Sequence, residues 1–373
     1  MKKKIFLLYP YYYPHYKAGG PVQSIYNIAG YFRNEGEFFF ISLNTDIDNS
    51  TSEISVVSDS WQKGPQGENI YYTSSISFFL LRRLINQIKP EVIFVNGLFN
   101  ASTTLSGVIL AKLGKIKLVI SPRGMLQPWA LQQRKAIKRI YVKALKVLLN
   151  KKEIWHATDE LEKEAILSNF GKGQFVYVAS NIPRQILTSP TSVFPASSNK
   201  IKLIFLSLIN PNKNLHLIIE QVKRLPEEFT LDIYGPVMNV GYWENCLEDI
   251  NKSSAEIVYK GGVPSWKVPE VMKQYHFFVL PTQGENFGHA IFDALSCGVP
   301  VIISKNTPWL NIESSRAGYY MDINNKKSID SLFDRVSSMN EEEYLSYRKN
   351  SIAYAKGYFD KNNFFSEYKF LIQ

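Results

Sequence analysis

The chain has 373 residues, more than one ordinary core accommodates, so two domains are expected. Hydrophobic residues at 45% and charged residues at 20% exclude a disordered chain. Two cysteines, Cys246 and Cys297, in no CxxC or CxxH pairing exclude a disulfide framework and a structural zinc site, and fit a reducing compartment. The net charge of +10 is lopsided: residues 1–185 hold 24 Lys/Arg against 13 Asp/Glu, a balance of +11, and the remainder holds 19 against 20, a balance of −1. Such asymmetry points to an anionic partner met by the N-terminal half.

In chain order, the first apolar run follows three lysines but stops after four residues at a Tyr/Pro cluster, so 5–9 reads as a strand rather than a signal peptide. Gly19 and Gly20 come next, ahead of a helical pattern. Paired glycines suit a loop beneath a phosphate or sugar at a helix N-terminus, and equally a tight turn. Runs at 38–43, 92–95 and 118–120 alternate with helical segments, which predicts a parallel sheet covered on both faces. Asp46 and Asp48 form an Asp-x-Asp that arises readily by chance, and the histidines are scattered, so no metal site is expected. Asn96 and Gly97 stand at one strand end and Arg123 follows another, where an arginine can clamp a phosphate by two parallel hydrogen bonds.

Residues 134–152 carry eight basic side chains, while Ile137, Ile140, Tyr141, Ala144, Leu145 and Leu148 repeat at helical spacing. This predicts an amphipathic helix whose apolar stripe packs on the core and whose basic face suits an anionic membrane surface or a lipid-diphosphate acceptor. No nucleic-acid-binding motif accompanies the charge, so nucleic acid is not an expected partner. The Ser/Thr/Pro-rich stretch 186–200 reads as a linker between a domain at 1–185 and a second at 201–343. Strands at 202–207, 230–234, 277–280 and 301–303 rebuild the alternation. Residues 344–373 are helical in composition and rich in Tyr and Phe, so they need a surface to bury against. No stretch reaches the roughly 20 apolar residues of a spanning helix, and a cytoplasmic protein is expected.

The most informative stretch lies after the strand 277–280: a loop containing Glu285, a helix over 287–297 stopped by Gly298 and Pro300, then the strand 301–303. Ligands of open α/β sheets sit beyond the carboxyl ends of strands, where helix N-termini offer free N–H groups. The amides of Phe287, Gly288 and His289 are therefore placed to hold a diphosphate, with Asn286 a further donor-binding candidate beside them. Glu285 and Asp293 would lie about 12 Å apart along one helix axis, too far to share one atom, which argues against a glycosidase-like pair of carboxylates.

The run from Glu285 through Asp293 to Ala-Leu-Ser-Cys-Gly-Val-Pro-Val-Ile302 resembles the retaining GT-B glycosyltransferases of the family-4 type, in the subgroup that builds bacterial surface polysaccharides and O-antigen. The resemblance implies α/β architecture, two Rossmann-like doubly wound domains facing across a cleft, and a metal-independent enzyme with no cofactor beyond its nucleotide-sugar substrate. Glu285 is implied to contact the donor sugar, and Asp293, where the family has Glu, the ribose. The segment from Phe205 to Lys213 resembles the family's Phe-x-Gly-Arg-x-x-Pro-x-Lys motif, so Lys213 is implied to neutralise the leaving diphosphate, while Leu208 replaces the family's Arg. By the same resemblance Gly19 and Gly20 meet donor phosphate or acceptor. Val263 lies where backbone groups meet the base, Asn181 lies in the interdomain loop, and Asn96 and Arg123 lie on the acceptor side, with Arg123 also a catalytic candidate. The partners expected are a nucleotide sugar, a glycan or lipid-diphosphate-linked acceptor, and the inner face of the plasma membrane through 134–152. The C-terminal segment from 344 is implied to cross back onto the N-terminal domain. A GT-B-shaped epimerase or phosphorylase, or a non-catalytic binding protein, are the alternative readings.

Overall fold

Near-continuous apolar runs dictate the layout, because a strand such as Lys3–Leu8, whose last four residues are all buried, must be covered on both faces. The computed structural model describes residues 2–131, 135–149, 152–185 and 200–373, which fall into two units: 1–182 with 362–373, and 183–361.

The first unit holds an eight-stranded sheet of β1 (Lys3–Leu8), β2 (Gly36–Leu43), β3 (Ser60–Lys63), β4 (Asn69–Thr73), β5 (Val92–Asn96), β6 (Lys117–Ser121), β7 (Ile154–Ala157) and β8 (Phe175–Val178). Its order is β3-β4-β2-β1-β5-β6-β7-β8. Every pairing is parallel except β3 with β4, so the expected parallel sheet carries one antiparallel edge hairpin. The chain moves outward from β1 to β2 and then returns to β5 on the other side of β1, which creates a switch point between the loops that follow β1 and β5.

The second unit repeats the device with β9 (Ile201–Leu206), β10 (Phe229–Tyr234), β11 (Ile257–Gly261), β12 (Phe277–Leu280), β13 (Val301–Ser304) and β14 (Gly318–Met321), all parallel in the order β11-β10-β9-β12-β13-β14. Here the switch point falls between the loops that follow β9 and β12.

The C-terminal segment divides differently from the expected crossing at 344. Helix Glu341–Lys361 stays with the second unit, where Tyr358 packs on Trp309 (ring centroids 5.1 Å) and Phe287 (5.7 Å). Only 362–373 joins the first unit. Its helix Phe364–Ile372 sets Tyr368 against Phe32 (5.8 Å) and His156 (5.2 Å) and Phe370 against Tyr177 (5.0 Å). The surface that the aromatic residues required is thus split between two cores. The expected linker at 186–200 lies outside the described residues but for Lys200.

The basic segment forms helix Lys135–Leu148, with Arg134, Asn150 and Lys151 outside the described residues. Its expected single stripe is corrected by the structure. Val142 and Leu145 are buried, whereas Ile137 and Ile140 are 67% and 69% exposed and Ala144 also faces solvent. Residues 138, 142, 145 and 149 share the inward face of a 3.6-residue period, and 137, 140 and 144 fall on the opposite one.

Candidate functional site

The residues singled out in the second unit gather at its switch point. Lys213 closes a single 3₁₀ turn, Pro211–Lys213, that follows β9, and Glu285 stands in the loop after β12. Their side chains meet as a largely buried ion pair, Nζ to Oε1 at 2.5 Å. Backbone and side-chain bonds lock the two loops together. Gln283 N donates to Asn212 O (2.8 Å) and Asn214 Nδ2 donates to Pro281 O (2.7 Å), while Glu285 N donates to Asn306 O (3.1 Å) in the loop after β13. Asn214 adopts φ +51°, a left-handed conformation that Asn tolerates better than most residues. The sequence reading gave Lys213 and Glu285 separate tasks; the fold makes them mutual partners.

Helix His289–Ser296 starts later than expected, with Gly288 as its N-cap at φ +78°. That left-handed backbone strains any residue with a Cβ, so the cap favours glycine. Phe287 turns inward onto Trp309 (5.0 Å), whose Nε1 donates to Phe287 O (2.6 Å). The helix's first-turn amides, including His289, lack intrahelical acceptors by construction and point along the axis beyond Gly288. Asn286, Gly288 and His289 are partly exposed at this end.

Asp293 lies on the same helix, 5% exposed, and pairs with Arg184 (Nε to Oδ1, 3.2 Å), whose Nη2 also donates to Ser265 O (2.6 Å). Burial raises the Asp293 pKa and Arg184 opposes that shift. Arg184 thus ties this helix to the loop after β11 that holds half-buried Val263. Sequence reasoning missed Arg184; its one signal was a cation directly following the Asn181-Ile-Pro motif. Each carboxylate has its own cation, and the two pairs form separate parts of the site. Leu208, half-buried in the loop after β9, supplies no charge.

In the first unit, Asn96, Arg123 and Asn181 come together from the ends of β5, β6 and β8. Arg123 Nε donates to Asn96 Oδ1 (2.7 Å) and its Nη1 to Asn181 Oδ1 (2.8 Å). Asn96 Nδ2 donates to Pro21 O (3.2 Å), which links the cluster to helix Gly20–Tyr31, capped by Gly19 at φ +75°. Beneath Arg123, the buried carboxylate of Glu162 accepts from Gly124 N (2.6 Å), Thr158 N (2.8 Å) and Thr158 Oγ1 (2.7 Å), fixing the turn that presents the guanidinium. Burial raises the Glu162 pKa against these hydrogen bonds, and burial together with Arg123 lowers that of His156 to about 3. Neither Glu162 nor His156 was singled out from sequence.

Asp46 and Asp48 are committed to the loop after β1. Asp46 Oδ2 accepts from Tyr16 N (2.9 Å) and Lys17 N (3.0 Å), and Asp48 pairs with Lys17 at 2.6 Å. Among the described residues no group of three His, Cys, Asp or Glu is placed to hold a metal, and no helix is long and apolar enough to cross a membrane.

These features define a GT-B fold of two Rossmann-like domains, and residues 192–356 match the family model of glycosyl transferases group 1. The resemblance carried by the Glu285 segment is thereby met. Over 110 residues the chain is 31% identical to O-antigen chain mannosyltransferase B of Escherichia coli, covering 28% of each protein, and it spans 52% of a second curated relative. The chain therefore spans about half or less of the curated relatives it matches. The fold is similar to that of Anabaena HepE, crystallised with UDP and glucose (TM-score 0.71, 15% identity, 95% of each chain). It is also similar to sucrose-phosphate synthase of Thermosynechococcus elongatus (TM-score 0.69, 12% identity, covering 95% of this chain and 94% of that one).

Proposed function

We propose that the chain is a glycosyltransferase that moves a sugar from a nucleotide-sugar donor to a hydroxyl of a glycan or lipid-linked acceptor, in polysaccharide or O-antigen assembly. The observation that carries this reading is the Lys213–Glu285 pair at the switch point of the unit matched by the family model. Cleaving the sugar–phosphate bond leaves negative charge on the nucleoside diphosphate, and a fixed cation beside it stabilises the transition state. In this reading Lys213 turns from Glu285 to the diphosphate as donor binds, which frees Glu285 to accept from the sugar hydroxyls. The amides of Gly288 and His289 take the phosphates, Val263 the base, and Asp293 the ribose through Oδ2.

The acceptor enters against Gly19, Gly20, Asn96, Arg123 and Asn181 of the first unit. Its hydroxyl attacks the anomeric carbon on the face that the diphosphate leaves, so configuration is retained without a metal. The enzyme works on the cytoplasmic side, with its basic helix addressed to an anionic membrane surface. HepE, bound to UDP and glucose, and the O-antigen mannosyltransferase support the donor class and the pathway class respectively. Mass spectrometry of products from a panel of nucleotide sugars and lipid-linked acceptors tests the reading: wild type transfers a sugar and Glu285→Ala does not. Undiminished transfer by that variant overturns the assigned site.

A further inference from the structure

The solvent face of helix Lys135–Leu148 is left unexplained by the transfer site. Ile137, Ile140, Ala144 and Val147 recur at steps of three, four and three, so they line one face over about 15 Å. Ile137, Ile140 and Val147 are 67%, 69% and 86% exposed. Arg139, Lys143 and Lys146 occupy the adjoining flank. With Lys138 they also wall a cavity of about 950 Å³ against helix Glu160–Phe170, where among the described residues Glu164 is the one acidic lining residue and Leu161 and Val142 are apolar ones. An aliphatic stripe bordered by cations is the pattern of a helix lying in the plane of a lipid interface.

We propose that this face is a docking surface for an anionic phospholipid bilayer: Ile137, Ile140 and Val147 enter the acyl boundary while Arg139, Lys143 and Lys146 engage headgroup phosphates. The inference rests on the membrane-side reading above and deepens it from attraction at a distance to partial insertion. Charge decides the occupant. A second copy of the chain would bring the same cationic flank against itself, within a half that already carries +11. A nucleic acid offers phosphates but no apolar layer to receive three aliphatic side chains.

Flotation of the full chain with phosphatidylglycerol-containing or pure phosphatidylcholine vesicles tests it, with no donor or acceptor present. A failure here leaves the transferase reading standing, and a failure of transfer leaves docking standing. Wild type is expected to float with the anionic vesicles. Arg139→Gln with Lys143→Gln weakens binding at low salt by roughly fivefold per charge. Ile137→Asn with Ile140→Asn weakens it by roughly tenfold, and keeps doing so at high salt where charge attraction is screened. Phe79→Ser, which removes a 78% exposed ring elsewhere on the unit, leaves binding unchanged and controls for apolar loss in general. Matching thermal unfolding shows that the variants fold. The proposal is overturned if wild type stays with the unfloated fraction, if the Ile variants bind as wild type at high salt, or if wild type is a dimer that the Ile variants split.

Discussion

The polar clusters of the two units handle charge in opposite ways. In the second unit each carboxylate is met by a full cation, Glu285 by Lys213 and Asp293 by Arg184. In the first, the Arg123 guanidinium is held by two neutral amide oxygens, and the nearby carboxylate of Glu162 spends its oxygens on backbone and hydroxyl donors. A paired centre stores its charges until a ligand exchanges partners with them. A cation held by amides keeps its positive field available throughout. The first arrangement suits a donor whose diphosphate and sugar divide the pair, and the second suits an incoming anionic or hydroxyl-rich acceptor.

The largest effect expected from this contrast is at the paired centre. Lys213→Ala is predicted to lower kcat by about 10²–10³-fold, the usual loss when a preorganised charge facing the transition state is removed. Glu285→Ala should match it in activity and also lower thermal stability, because it leaves a largely buried lysine unpaired, at a cost of about 3–5 kcal/mol. Arg123→Lys is next: it keeps the charge but loses the fork that spans Asn96 and Asn181, and an acceptor KM raised about tenfold with donor KM unchanged is expected in steady-state kinetics.

A smaller effect concerns pH. His156 holds its proton less well folded than unfolded, so between its ordinary 6.5 and about 3 the unfolded chain binds more protons. The stability it permits at neutral pH is lost as pH falls through that window. Glu162, raised by burial, acts in the opposite direction: its penalty grows as pH rises through the raised value. Melting curves from pH 7 to 5 should therefore show a shallower acid-side loss in His156→Gln than in wild type, and a steeper one in Glu162→Gln. The smallest effect is a gain: Leu208→Arg restores the second cation of the diphosphate motif and should raise kcat several-fold in the same transfer assay.

Legibility in the sequence follows burial. Strands covered on both faces, such as β1, β5, β9 and β12, show as continuous apolar runs and were located within a residue or two. The strands that escaped this reading are β3, β8, β11 and β14 at the sheet edges and β4 and β7 one place in from an edge, each only four or five residues long. The basic helix misled for a related reason: its apolar residues serve two faces, and a list of helical spacings does not say which face is inward.

At the site, Lys213 and Glu285 were each legible from motif, but their pairing across 72 positions is a product of strand order. Arg184 follows the Asn181-Ile-Pro motif directly, but nothing local points to its partner; only the fold brings it to Asp293. Glu162 reads in sequence as an ordinary first-turn helix acid, and its role under Arg123 depends on β6 and β7 being neighbours.

Calorimetric titration of a nucleoside diphosphate into the wild type and two variants tests most directly the assignment of the donor to the second unit. Lys213→Met is predicted to weaken binding at least tenfold, while Arg123→Gln binds as wild type. Binding that survives Lys213→Met and collapses in Arg123→Gln contradicts the account.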